Sequence, residues 1–490
     1  MLLVGSQTLN GQWSTDMWEH VAVVRELIAH PFDPSHPQIL SDATHPGFSP
    51  YTVVLGALGN MLNADAVTML SWAAIVNVAL LLVAFRLLVI EATGNHRAPF
   101  WALVFMLALW GLAPYRYSGF YGLNSIGFVA PYPSTLATAA AFGTLAAAIR
   151  YARGGPRQLL LLVTLGTALV VLVHPLSAPW LVLALGAVAI SGRREARPLF
   201  WFGAAVVLGV GLCLWWPYFP ILGLVGDSTD LEALNRSMYV AVFGRIFPML
   251  LGLVVIVRRS RVDPRDPLGL WLAGSVGLYV VGAVTDNSSF GRSLAFVVVV
   301  LAIALADGVA TIEARTSLRS ASGRTRVGAV VLGGLLVVGL STARGGLIRM
   351  VPNRLLPASI RESDELIRPD ERYAFLVGVV GPTEVVVGSQ PADNRVIPAL
   401  AGRTLALAIP RPFVDDADER KLAEDDVLDA TTSVARRGEI EARYQVRFVL
   451  LHADANEDRA LREVLEADGA SVVYADDELV LIELGAVGSR

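Results

Sequence analysis

Apolar runs long enough to cross a bilayer recur through the first 350 residues and cease near Pro352. They fall near 66–90, 99–116, 131–150, 198–216, 239–258, 268–285, 293–312 and 327–347. A spanning helix takes about 20 mainly apolar residues, so each run predicts one crossing. Residues 158–191 form a further run broken by "HPLSAP" (174–179), which predicts two short helices and a tight turn. About ten spans follow the opening stretch on this count. The start, "MLLVGSQTLNGQW", is shorter than a span and lacks the basic segment of a signal peptide. It reads as part of a first transmembrane helix.

Beyond Pro352 the period changes. The strand-like segments "EVVVGS", "RTLALAI", "VRFVLLH", "SVVYA" and "ELVLIEL" alternate with helical ones. In "NEDRALREVLEADG", Asn456 reads as an N-cap and Gly469 as a stop. The expected fold class is therefore a mainly α polytopic membrane protein of about ten to eleven transmembrane helices with a C-terminal α/β domain. The domains divide as 1–350, including a first outer loop at 13–65, and 351–490, water-soluble.

Composition agrees with a membrane protein: 54% of the 490 residues are hydrophobic, 17% are charged, and the mean hydropathy is +0.55. A net charge of −4 without basic blocks argues against nucleic acid as a partner. Cys213 is the only cysteine, which excludes an intramolecular disulfide and a cysteine metal site. No GxGxxG or P-loop pattern supports nucleotide binding.

Basic residues set the orientation, because cytoplasmic loops retain them. One alternate set of loops carries fifteen arginines and the other only four: Arg25, Arg116, Arg236 and Arg292. The poorer set faces outward, which puts the opening loop and residues 350–490 on the same extracytoplasmic side.

That opening loop holds the most concentrated chemistry in the chain. "DMWEHVAVVRELIAH" has helical periodicity, with Trp18, Val21, Leu27 and Ile28 as an apolar stripe suited to a helix lying on the membrane surface. Asp16 and His20, four apart, share one face. Asp16 also reads as an N-cap with Glu19 as its capping-box partner. Trp13 and Trp18 fit either sugar stacking or an interfacial belt. Arg25 reads as the solvated face of the helix. The proline-stiffened "HPFDPSHPQI" and "HPGFSPY" suit a shaped wall or an ordered crossing of the outer surface.

The order of these features resembles the GT-C superfamily of membrane glycosyltransferases: an Asp opening the first outer loop, a surface helix, an "HP…SPY" segment, many spans and an outer C-terminal domain. "STDMWEHVAVVRELIAHPFDPSHPQ", "HPGFSPY" and "DNRVIPALAGRTLALAIPRPFVDDADERK" are similar to segments of actinobacterial members. The resemblance implies a polyprenyl-phosphate sugar donor and an Arg where a late helix meets the outer leaflet. This loop lacks the Asp-x-Asp or Asp-Glu pair that such enzymes often carry. The cofactor is therefore unknown, with a divalent cation such as Mg or Mn as one candidate.

Transfer from a lipid-phosphate sugar needs a carboxylate to take the acceptor hydroxyl's proton, a role that falls to Asp16. It also needs positive charge or N–H groups for the departing phosphate. Candidate substrate-binding residues are His20, Glu19, Arg292, Arg116, His174 and Tyr51. Snorkelling also explains Arg292, an aromatic belt explains the tyrosines around Arg116, and a turn bond explains His174. The loop acids Asp227, Asp230 and Glu232 fit a cation site or solvation, and Asp286 a pair with Arg292. The expected function is sugar transfer from a polyprenyl-phosphate donor to a cell-envelope glycan or lipid acceptor, at the outer face of the plasma membrane, with the lipid bilayer as surroundings. The alternatives are a lipid or glycan transporter or flippase, which calls for mid-membrane charge or inverted repeats, and a non-catalytic envelope-assembly protein.

Overall fold

The computed structural model describes residues 1–9, 16–192, 196–224, 235–315, 323–348, 351, 355–357, 359, 369–409 and 412–485. Trp13, Asp227, Asp230 and Glu232 lie outside the described residues. The chain forms two compact units. One comprises 1–10, 71–216 and 225–356; the other comprises 11–70, 217–224 and 357–490. The opening loop thus shares its unit with the C-terminal residues, a different division from the one that sequence character draws at 350.

In chain order the helices are α1 (Leu2–Leu9), α2 (Asp16–Ala29), α3 (Pro50–Leu62), α4 (Ala66–Thr93), α5 (Ala98–Ala108), α6 (Ile126–Val129), α7 (Pro133–Ala152), α8 (Leu159–Val173), α9 (Ala178–Ser191) and α10 (Ala196–Leu212). They continue with α11 (Val242–Ile246), α12 (Gly252–Val262), α13 (Pro267–Val284), α14 (Leu294–Arg315), α15 (Gly323–Thr342), α16 (Arg344–Ile348) and α17 (Pro369–Arg372). The last four are α18 (Asp393–Leu400), α19 (Ala417–Leu428), α20 (Val434–Tyr444) and α21 (Asn456–Ala467). Five strands form one sheet: β1 (Val385–Gly388), β2 (Arg403–Thr404), β3 (Val446–His452), β4 (Ser471–Ala475) and β5 (Leu479–Glu483).

The first unit is a helical core. Helix α14 is apolar all round and buried from Leu294 through Ala304, as expected of a central helix, and packs against α5, α12 and α13. Among the described residues three helical segments are long and apolar enough to cross a membrane: Ala66–Thr93, Pro267–Val284 and Ser288–Ala314. Two expected runs are interrupted. Helix α5 stops at Ala108, and the chain beyond it pairs backbone to backbone, with Gly111 N donating to Arg245 O at 2.8 Å and Leu112 N to Gly244 O at 2.9 Å. A side chain at position 111 would run into the Gly244 carbonyl, so glycine is required there. Residues 239–258 likewise break into α11, a 3-10 turn containing Pro248, and the start of α12. Arg259 closes the opposite end of this unit: its guanidinium lies 2.7 Å from both Asp266 and Asp307 and donates to Ala92 O, tying α12 to α4, α13 and α14.

In the second unit the sheet order is β2-β1-β3-β5-β4. The strands β2, β1 and β3 are parallel, and β5 pairs antiparallel with β3 and β4. Val386 faces Phe448, and Leu450 faces Leu481. β1 is buried along its length, as a covered parallel strand should be. Ile39 adds a parallel bridge to Thr404, whose N–H donates to Gln38 O at 2.7 Å, so the opening loop covers the β2 edge. Four of the five expected strand segments lie in this sheet along most of their length; of "RTLALAI" only Arg403–Thr404 joins it. Asn456 is the first residue of α21 rather than its cap, which is Ala455, and Gly469 stops the helix at φ +96°.

Candidate functional site

The opening loop folds as two packed helices. Ser49 caps α3 by accepting from Thr52 N, Pro50 fixes the first turn, and Asn63 ends the helix in the left-handed region. Gly56 and Gly59 let α3 approach α2 so closely that a Cβ at either position would overlap Leu27 or Ile28. The histidines of the "HP" segments hold the turns. His36 Nδ1 accepts from Gln38 N and Ile39 N at 3.2 Å, and His45 Nδ1 accepts from Gly47 N at 3.0 Å. The two buried rings meet edge to face, and Phe48 packs on His45.

Helix α2 is not a surface helix. Met17, Trp18, Val21, Ala22, Val23, Val24 and Leu27 are all buried, because α3 covers one side and α18 another. Trp18, at 1% exposure, is a core residue and cannot stack on a sugar. Three ionic contacts join α2 to the segment 393–403. Arg395 places Nη1 3.1 Å from Asp16 Oδ1 and Nε 3.1 Å from Glu19 Oε1. Arg25 donates to Pro398 O and Ala401 O, satisfying carbonyls at the end of α18. Arg403 pairs with Glu26 in a buried bridge, where Glu26 also accepts from Ser35. Ascending numbers pair with ascending numbers, so α2 and α18 run parallel. Arg25 is therefore a helix cap, not a solvated surface residue.

Electrostatics follow from burial. Desolvation and the neighbouring Arg403 lower the Arg25 pKa to about 10, still a cation at neutral pH. Burial alone would raise the Glu26 pKa; Arg403 and the Ser35 hydrogen bonds outweigh it and hold the carboxyl below its ordinary value.

Of the sequence candidates in this unit, Asp16 keeps half of its side chain exposed, Glu19 is buried, His20 is half-buried and Tyr51 is buried in α3. Asp16 and Glu19 share one guanidinium, which a divalent cation would have to displace. Among the described residues no group of three His, Cys, Asp or Glu side chains is gathered to hold a metal ion.

In the other unit, the segments near 115–118, 235–239 and 286–293 converge. Arg292 is half-buried; its Nε donates to Asn235 Oδ1 at 3.1 Å and its Nη1 to Ser118 Oγ at 2.9 Å. Tyr115 Oη donates to Met238 O, and Tyr117 Oη lies 2.7 Å from Ser237 Oγ. Arg116, exposed, belongs to the same group of segments. Asp286 sits 3.7 Å from Arg236, so the expected Asp286–Arg292 pair gives way to an exposed contact with a different arginine. His174 lies elsewhere, in the α8–α9 turn, with Nδ1 2.7 Å from Ser177 Oγ.

Sequence reasoning missed Arg395, Glu26 and Arg403. It also missed a buried cluster at the carboxyl ends of β1 and β3. Asp393 accepts from Tyr373 Oη at 2.7 Å and Gln390 N at 2.9 Å, and lies 3.2 Å from His452 Nε2. Burial and Asp393 push the Tyr373 phenol well above its ordinary range. Open α/β sheets hold ligands in this crevice; here the protein's own side chains fill it. Arg395 and Arg403 lie in "DNRVIPALAGRT", one of the segments that carried the family resemblance, and that was their one signal in the sequence.

No protein-family model matches the sequence, and no curated protein matches it. Solved structures do. The crystal structure of the Archaeoglobus fulgidus oligosaccharyltransferase in its apo form matches with a TM-score of 0.50 at 13% identity, over 92% of this chain and 67% of that one. The cryo-EM structure of the arabinofuranosyltransferase AftD from Mycobacteria matches with a TM-score of 0.57 at 16% identity, over 96% of this chain and 40% of that one. This chain thus spans about two-fifths of the length of AftD. Both are GT-C glycosyltransferases, and the fold of this chain is like theirs: mainly helical, with a small sheet.

Proposed function

We propose that this chain is a membrane glycosyltransferase that moves a sugar from a polyprenyl-phosphate donor to a glycan or lipid of the cell envelope. The domain of about ten spans embeds the donor's tail, and the C-terminal domain works on the extracytoplasmic side. The observation that supports the reading is that a chain of GT-C-like fold carries, at the start of α2, a half-exposed carboxylate whose Oδ1 lies 3.1 Å from Arg395 Nη1.

Asp16 takes the proton of the acceptor hydroxyl as that oxygen attacks the anomeric carbon. The bond from that carbon to the donor's phosphate oxygen breaks, and the phosphate leaves as an anion. Arg395 holds one carboxylate oxygen of Asp16 and leaves the other to face the acceptor. Arg292, braced within its own unit by Asn235 and Ser118, and Arg116 are assigned as candidate cations for the departing phosphate. His20, Glu19, His174 and Tyr51 are assigned to substrate binding.

The Asp16–Arg395 pair also favours a second reading, in which the acid is a structural tie and the protein a non-catalytic assembly factor. Membranes carrying the protein, supplied with radiolabelled polyprenyl-phosphate sugars and an envelope extract as acceptor, separate the readings. A transferase forms a new glycosidic product, a transporter moves label across the membrane without one, and an assembly factor does neither.

A further inference from the structure

A polar cavity of about 270 Å³ opens in the second unit between the loop at 35–42 and the ends of α19 and α20. Three guanidinium groups, Arg403, Arg420 and Arg443, line it. Two of them are fixed. Arg403 is held by Glu26, and Arg420 by Asp416 and the carbonyls of Leu405 and Leu40. They shape the wall, each with its charge answered by a carboxylate, which leaves Arg443 as the exchangeable cation. Arg443 differs: its contact with Glu419 lies on open surface, both side chains being about 60% exposed. Such a pair is worth little in water and yields readily to a better anion.

The lining selects among ligand classes. Sugar recognition commonly uses an open aromatic face, but both Arg420 and Arg443 stand 5.0 Å from the centroid of the Tyr444 ring and occupy it. Donors line it besides the guanidiniums, in the hydroxyls of Ser41 and Thr383. Asp42 and Gln445 are suited to accept from hydroxyls.

We infer that this cavity is an oxyanion site for a phosphate group on a hydroxylated carrier, with Arg443 as its exchangeable contact. The site stands independently of the transferase reading, because binding is measured without turnover.

Isothermal titration of the full-length protein in phosphatidylcholine nanodiscs with glycerol 3-phosphate, against glycerol alone, tests it. Binding is expected for the phosphate and not for glycerol. Arg443→Gln should weaken it about tenfold, the scale of a lost charge-assisted hydrogen bond, with the unfolding temperature unchanged. Arg462→Gln, on α21 and outside the cavity, should bind as the parent does. If nanodiscs containing phosphatidylglycerol suppress the titration in the parent, the phosphate comes from a lipid headgroup; undiminished binding points to a soluble phosphate ester. Binding of glycerol as tight as of its phosphate, no binding of either, or binding that Arg443→Gln leaves unchanged would overturn the site.

Discussion

The guanidinium of Arg395 lies 3.1 Å from Asp16 and 3.1 Å from Glu19, although more than 370 residues separate it from either. One cation answers two acids on the first turn of α2. Glu19, 6% exposed, depends on it more than Asp16, which water can also solvate. Arg395→Ala should therefore destabilise the protein by about 3 kcal/mol, the scale of a buried carboxylate left unpaired. Glu19→Gln in the same chain should recover much of that loss. Thermal unfolding of the parent, the two single variants and the double variant, taken as a cycle, reads the coupling.

Acid should loosen the second unit through Glu26. Its folded pKa lies below the unfolded 4.5. The stability it contributes is fully present above that value and is lost as pH falls through the lower folded one. Unfolding midpoints measured from pH 7 downward should decline below about pH 4.5, and Glu26→Gln should flatten that decline while lowering stability at neutral pH. An acid limb of equal steepness in the variant would place the effect elsewhere.

The contact of α3 with α2 rests on glycine. Gly56→Val puts a branched side chain where Leu27 already stands, and overpacking of this kind costs about 2 kcal/mol or more. Gly5→Val, with open space around its Cβ position, is the matched control; it should shift the unfolding midpoint far less.

Arg259 should prove a stability residue and not a transport residue. Arg259→Ala strands Asp266 and Asp307, 8% and 16% exposed, at the meeting of α4, α12, α13 and α14, with an expected loss of about 3 kcal/mol. Adding Asp307→Asn should restore part of it. Thermal aggregation in detergent of the single and double variants checks this.

The parts of the fold that periodicity controls are legible in the amino-acid sequence. β1, β3, β4 and β5 and the long helices α4, α13 and α14 lie where their alternating or unbroken apolar patterns put them, whereas the strand expected over "RTLALAI" shrinks to Arg403–Thr404. Features set by partners far along the chain are not. Trp18 reads as an amphipathic stripe residue until α3 and α18 enclose it. Arg25 reads as solvated until the carbonyls of 398 and 401 come to it. The break after Ala108 depends on Gly244 and Arg245 supplying backbone acceptors, which no local pattern records. The candidate acid Asp16 is visible from spacing and resemblance, whereas Arg395 is hidden because its charge partners lie in another part of the sequence.

The role of Asp16 is tested most directly by the transfer rate of Asp16→Asn, with Arg395→Lys beside it, in membranes given radiolabelled polyprenyl-phosphate sugar. Asparagine keeps the size and a hydrogen-bonding oxygen for Arg395 but cannot take a proton. The rate should fall by about 10²- to 10⁴-fold with the unfolding temperature nearly unchanged, and less for Arg395→Lys, which leaves the carboxylate in place but less well held. A transfer rate in Asp16→Asn equal to that of the parent would contradict Asp16 as the base.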